Sequence, residues 1–207
     1  LQLLSVNAED RLLDLGCGAG VIAEYISDRT GAAVTGLDYA ASAISEARDR
    51  TKDKQSRLTF VTGDMNSLDL PQRSFDKIIS LDTLYWVADL KETLRQVVQL
   101  LKPGGQLGIF MLHGTPDGHT AADTDAAQTS LSEALTSLDM TFDAYDYTLQ
   151  NAAFWYRNYK AAKDLQEEFE AEGNGFISAS LIREGEEEFL PGIENDTLVR
   201  FLYHVRL

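Results

Sequence analysis

Leu12-Leu13-Asp14-Leu15-Gly16-Cys17-Gly18-Ala19-Gly20 is an apolar run that ends in an acid and then carries glycine at three alternate positions. The apolar residues read as a buried strand, and the glycines let the backbone turn sharply and approach a ligand with no Cβ in the way. Val21, Ile22, Tyr25 and Ile26 follow at helical spacing, so the loop opens onto a helix whose first amides attract negative charge. Dinucleotide-binding loops read G-x-G-x-x-G, and the third glycine of that pattern would fall at Val21. Here the spacing is G-x-G-x-G with an acid two residues upstream.

Outward from this loop, short apolar runs alternate with helical patterns as far as Met111, which is the pattern of β-α units around a parallel sheet. Strands are expected at Arg11–Asp14, Ala33–Leu37, Leu58–Val61, Lys77–Leu81 and Gln106–Met111, and helices at Val21–Arg29, Ala40–Thr51 and Leu90–Leu101. Lys102-Pro103-Gly104-Gly105 reads as a turn into the fifth strand. Beyond Leu112 the pattern changes. A turn-rich loop, 113–120, precedes a polar helix expected at about 121–138, and two more strands are expected at Thr141–Thr148 and Leu198–Val205. Between those strands lies a helical insertion of about 152–190, interrupted at Gly173-Asn174-Gly175. Its aromatic residues Phe154, Trp155, Tyr156 and Tyr159 read either as buried helical packing or as part of a lid over a substrate.

In open α/β sheets ligands bind at the carboxyl ends of the strands, where strand order reverses. Asp38 closes the second strand 24 positions after Asp14, with Tyr39 next to it, and an acid there can accept from both hydroxyls of a ribose or cap the next helix. Asp64 and Met65 follow the third strand, where a carboxylate can accept from an adenine amino group while methionine packs on the ring.

Taken together, Asp14 to Gly20, Asp38, Gly63-Asp64, Phe75 to Leu81 and Leu100-Leu101-Lys102-Pro103-Gly104-Gly105 resemble, in order and spacing, the motifs of class I S-adenosylmethionine-dependent methyltransferases. The resemblance runs from about Asp10 to Met111. It implies a Rossmann-like three-layer α/β sandwich whose seven-stranded, mostly parallel sheet has an antiparallel last strand and a helical insertion before it. It further implies S-adenosylmethionine as cofactor, with Gly16, Cys17, Gly18 and Gly20 along its methionine part, Asp38 and Tyr39 at the ribose, and Asp64 and Met65 at the adenine. Asp14 would orient the loop or engage the cofactor ammonium, and Leu81 would lie beside the sulfonium. The implied chemistry is attack by an N, O or C nucleophile of a small molecule on the sulfonium methyl. A regulatory or scaffold protein that binds the cofactor without turnover is the alternative, and a nicotinamide oxidoreductase is a poorer fit to the glycine spacing.

Candidate acceptor-side residues are Tyr85 and Trp86, which follow the fourth strand, and His113, which follows the fifth; each also has a bland reading, as core packing or as a loop histidine. The Asn/Asp-Pro-Pro-aromatic motif of amino-directed nucleic-acid and protein methyltransferases is replaced by Ser80-Leu81-Asp82-Thr83-Leu84-Tyr85, which favours a small acceptor. Net charge of -15 argues against nucleic acid as partner. Eleven acids against the single base Arg183 between Asp164 and Asp196 read as a solvated helical face. Three scattered histidines give no metal cluster, and the single cysteine, Cys17, reads as a small tolerated loop residue in a reducing cytoplasm.

The 207 residues are expected to form one domain, with a cofactor-binding half at 10–112 and a substrate-side half at 113–207. No window is apolar enough for a membrane span, and no signal peptide is visible. Leu1 stands directly before the first strand, which suggests that a leading segment able to cover the site lies upstream.

Overall fold

The computed structural model describes residues 1–207. Its seven strands are β1 Arg11–Leu15, β2 Ala33–Asp38, β3 Leu58–Thr62, β4 Phe75–Leu81, β5 Leu101–Gly114, β6 Thr141–Asp146 and β7 Leu198–Arg206. They form one sheet in the order β3-β2-β1-β4-β5-β7-β6, six strands parallel and the last in sequence antiparallel, so the expected Rossmann-like α/β architecture is what the chain adopts. The order reverses between β1 and β4. Their carboxyl ends therefore flank the crevice where this architecture binds ligands.

β1, β2 and β4 are buried on both faces, which is why they read as apolar runs, whereas the edge strand β3 alternates, with Leu58 and Phe60 buried and Thr59 exposed. Leu12, Val34, Leu58, Phe60 and Ile79 point to one face and form a core with Ala23 and Ile26 of α1 (Val21–Thr30) and Ile44 and Ala47 of α2 (Ala41–Arg50). Leu13, Leu15 and Ile78 point the other way and are equally buried. The helix α3 (Leu90–Leu100) is capped by Asp89, whose side chain accepts from the Glu92 amide, and buries Leu94, Val97 and Leu100 on one stripe.

Three expectations are corrected. The fifth strand begins at Leu101 rather than Gln106: Phe75 pairs with Leu101 and Lys77 with Gln106, so Lys102–Gly105 loops out between two registered pairs, with Gly104 at φ +76°. The polar helix at 121–138 shrinks to α4 (Ser130–Thr136), preceded by two isolated helical turns at Ala121–Asp123 and Ala126–Gln128. The reason is local. Thr120 with Asp123, and Thr129 with Ser132, form two capping boxes, and each restarts the backbone ladder. The insertion begins earlier and, besides the expected break at Gly173-Asn174, is also broken at Leu165, running as α5 (Thr148–Asp164), α6 (Gln166–Ala171), α7 (Gly175–Glu184), a π-helical turn Gly185–Phe189, and α8 (Leu190–Glu194).

The chain divides into two compact units, one of residues 1–111, 127–144 and 202–207, the other of residues 112–126 and 145–201. In the second unit Trp155 stacks on Phe189 with ring centroids 3.7 Å apart and 12° between planes, and Phe154 meets Trp155 edge-on. Trp155 is thus core to that unit, whereas Phe154 and Tyr156 are exposed. Gly185 opens the π-helical turn because a Cβ there would come 2.9 Å from the Tyr159 ring. No helix is long and apolar enough to cross a membrane.

Candidate cofactor site

The loop after β1 is built from left-handed glycines: Gly16, Gly18 and Gly20 have φ of +80°, +52° and +73°. A Cβ on Gly16 would lie 2.5 Å from Thr83, and one on Gly20 would lie 2.4 Å from the Phe60 ring, but one on Gly18 would meet nothing within 4 Å. The middle glycine therefore borders open space, while its neighbours are pressed against the protein. The loop is anchored to β2. Gly16 and Cys17 donate from their amides to the Leu37 carbonyl at 2.8 and 3.0 Å, and Gly18 donates to Asp38 Oδ2 at 2.7 Å.

Asp38 is not the cap of α2, whose N-cap position is Ala40 with no side-chain cap, but it braces the approach to that helix. Its Oδ1 accepts from the Ala40 amide at 2.9 Å, so the same carboxylate fixes the glycine loop and the start of α2. Each oxygen keeps lone-pair capacity for a further donor. Tyr39, next to it, is 79% exposed. Asp64 uses Oδ1 to accept from the Asn66 amide and side chain, both at 2.8 Å, and these bonds hold its carboxyl below the usual range. Asn66 in turn accepts from the Ala88 amide at 2.7 Å, and the Leu68 amide donates to Gln96 of α3 at 2.9 Å. Met65 is half-buried in this braced turn, and Leu81 packs on the core of the first unit.

Asp14 is 2% exposed and its Oδ2 has no hydrogen-bond partner. Burial first, and the charge of Asp38 second, push its carboxyl up to about 7. The Cys17 thiol is likewise driven up to about 12, by burial and then by Asp14 and Asp38, so it is neutral and no nucleophile.

Thr83 has no sequence motif of its own, yet it seats the loop. Its hydroxyl donates to the Leu15 carbonyl at 2.9 Å and accepts from the Ser80 hydroxyl at 2.7 Å, with its side chain against Gly16. The visible signal was a pair of hydroxyl residues, three apart, at the end of an apolar strand. Asp82 beside it is left-handed at φ +55°, and Tyr85 donates from its hydroxyl to Asp82 Oδ1 at 2.9 Å. Tyr85 and Trp86 are 41% and 80% exposed, so neither is core.

His113 belongs to the second unit, where its ring lies 6.1 Å from that of Phe201. Burial pulls its pKa down to about 4, which makes it a neutral imidazole at physiological pH. An NMR titration of the ring carbon shifts should give a midpoint near that value; a midpoint near 6.5 would show a solvated ring instead.

The methyltransferase-domain family matches residues 13–109. The 27-O-demethylrifamycin SV methyltransferase of Amycolatopsis mediterranei is 35% identical over 120 residues, 56% of this chain and 44% of that protein, and the chain spans less than half the length of the curated relatives it matches first. Among solved structures, Haemonchus contortus phosphoethanolamine N-methyltransferase 2 superposes with a TM-score of 0.84 at 20% identity, covering 99% of this chain and 50% of that one. The [4+2]-cyclase SpnF superposes at 0.77 and 20% identity, covering 99% and 78%. At these identities the structural likeness is one of fold. The glycine loop, the braced acids and the first four strands fall within or beside residues 13–109, the stretch that is similar to the methyltransferase-domain family.

Proposed function

We propose that the protein binds S-adenosylmethionine along β1, β2 and β3 and transfers its methyl group to an N, O or C nucleophile of a small molecule. The observation that carries this is the glycine loop: three left-handed glycines, two closed against Thr83 and Phe60 and the middle one facing open space, at the switch point of the sheet. The residues fit the group, because the unpartnered buried oxygen of Asp14 is suited to a ligand that brings positive charge. Gly16, Cys17, Gly18 and Gly20 would offer backbone to its methionine part, Asp38 and Tyr39 would face the ribose, Asp64 and Met65 the adenine, and Leu81 the sulfonium. When bound, the cofactor supplies an electrophilic methyl group.

The protein's own contribution is positioning. A well-oriented nucleophile can lower a barrier by several kcal/mol, on the order of 7 to 11 in ideal intramolecular cases. Asp82 in its left-handed conformation, Tyr85 hydrogen-bonded to it, and exposed Trp86 are the candidates for orienting an acceptor, since they follow β4 directly beside the loop that Thr83 seats. The rifamycin relative and the chain's net charge of -15 both support a small-molecule acceptor over a nucleic acid.

Calorimetry should give binding of S-adenosylmethionine and S-adenosylhomocysteine and none of NAD; the reverse pattern sinks the reading. Incubation with methyl-labelled cofactor and an acceptor panel then identifies the nucleophile. A second reading, ligand binding without methyl transfer, is favoured by one finding: the fold neighbour SpnF is a cyclase. Cofactor binding with no labelled product from any acceptor would support it.

A further inference from the structure

The acid at the end of β1 has no counterion in the fold. Asp14 faces the same side of the sheet as Leu12, and its register partners Gly36 on β2 and Ile79 on β4 carry no charge; the buried Lys77, partner of Leu12 on the same face of β4, acts on Asp76 and His204 instead. From the end of β2 it faces Asp38, a second acid, and from the loop it faces Cys17, a neutral thiol. The helices on that face direct their charges elsewhere. Glu24 pairs with Arg50 and Lys54, Asp28 with Lys54 and Arg57, and Arg48 donates to the Phe60 carbonyl, while Arg29, Glu46 and Asp49 are exposed. A carboxylate in such a place is costly, whereas a neutral carboxylic acid is not.

We propose that Asp14 is a proton store coupled to the cofactor site, protonated in the ligand-free protein and ionised when a ligand with net positive charge occupies the loop, so that the site prefers the sulfonium cofactor to its demethylated product. The inference rests on the reading of the site as an S-adenosylmethionine site. That cofactor carries an ammonium, a carboxylate and a sulfonium, for a net charge of one; its product has lost the methyl group and with it the sulfonium charge. On binding, the O–H bond of Asp14 breaks, the electron pair stays on the carboxylate and the proton passes to solvent. The new carboxylate then offsets the ligand's excess positive charge, which the product does not bring. By linkage, a ligand that binds the ionised form gains affinity as pH rises toward the point where the acid is ionised without it, at most tenfold per pH unit. The device lets the demethylated product leave while the next cofactor enters.

The test is calorimetry at about pH 6 in two buffers of different ionisation enthalpy, on the full chain and on Asp14→Asn, with S-adenosylmethionine and with S-adenosylhomocysteine. The expected result is roughly one proton released per cofactor bound, much less with the product, and none from the variant. Raising the pH from about 6 to about 8 should tighten cofactor binding about tenfold in the unaltered chain and leave product binding flat. Equal proton release for the two ligands, none for either, or undiminished release from Asp14→Asn overturns the proposal. A second measurement needs neither variant nor ligand: the Asp14 carboxyl carbon, followed by NMR, should titrate near neutrality. A midpoint near 4 overturns the coupling alone, with binding intact, whereas failure of both ligands to bind at either pH overturns the proposed function and the coupling with it.

Discussion

Gly18→Ala should leave the fold nearly intact and remove most of the cofactor affinity, while Gly16→Ala and Gly20→Ala should damage both. All three positions are left-handed, so any side chain costs about 1 to 2 kcal/mol in backbone strain. At Gly18 that is the whole cost to the protein, because a Cβ there meets nothing within 4 Å. The added methyl instead stands in the space the ligand needs, and overpacking a close contact costs roughly 1 to 3 kcal/mol, about 5- to 150-fold in affinity. At Gly20 the Cβ would come 2.4 Å from Phe60, a ring 3% exposed and locked in the core with Ala47 and Ile44. At Gly16 the obstacle is Thr83, 2.5 Å away and held by hydrogen bonds to Leu15 and Ser80. Strain and overpacking then add to about 2 to 5 kcal/mol, a large share of the 5 to 15 kcal/mol that keeps a domain folded. Urea unfolding and calorimetry on the three variants separate the two effects. Unchanged cofactor affinity in Gly18→Ala would mean that the open side of the loop is not the ligand side.

The parallel half of the sheet was legible in the sequence because strands buried on both faces must be continuous apolar runs, and the glycine loop because only glycine tolerates its backbone. What could not be read were features that depend on a partner distant in sequence. Lys102–Gly105 looks like a turn in isolation and becomes a bulge only because Phe75 and Lys77 fix the register on either side of it. Asp38 reads as a ribose acceptor or a helix cap. The structure has its two oxygens spanning Gly18 and Ala40, a role that needs the loop folded over β2. The polar helix expected at 121–138 is interrupted for a reason present in the sequence, since Thr120, Asp123, Thr129 and Ser132 are the residue types that form capping boxes and restart a helix. The pair Ser80 and Thr83 is visible as two hydroxyls three apart, but the loop that Thr83 seats and the missing counterion of Asp14 have no one-dimensional signature.

That missing counterion has a thermodynamic consequence independent of any ligand: Asp14→Asn should stabilise the free protein at alkaline pH. The carboxyl titrates at about 7 in the fold against an ordinary value of 3.8, a rise of about 3 units, and each unit is worth 1.36 kcal/mol. Between those two values the unfolded chain has released the proton and the folded chain retains it. The unfolded state thus binds fewer protons, and stability falls as pH rises through that window, then levels off above the folded value. The accumulated loss at about pH 8 is as much as ~4 kcal/mol, and at about pH 5 it is only ~1.6 kcal/mol. Asparagine has nearly the same shape and never ionises, so its advantage should be about 2 to 4 kcal/mol at pH 8 and smaller by about 2 kcal/mol at pH 5. His113 acts in the opposite direction on the acid side: its lowered pKa costs stability only as pH falls below its ordinary value of 6.5, and it contributes equally to both proteins. The comparison is therefore the difference between the two unfolding curves at each pH, and parallel curves would show that Asp14 is ionised and paired. A protein that keeps an acid so costly in the free state, when asparagine would fold better, needs that charge only when a cation arrives.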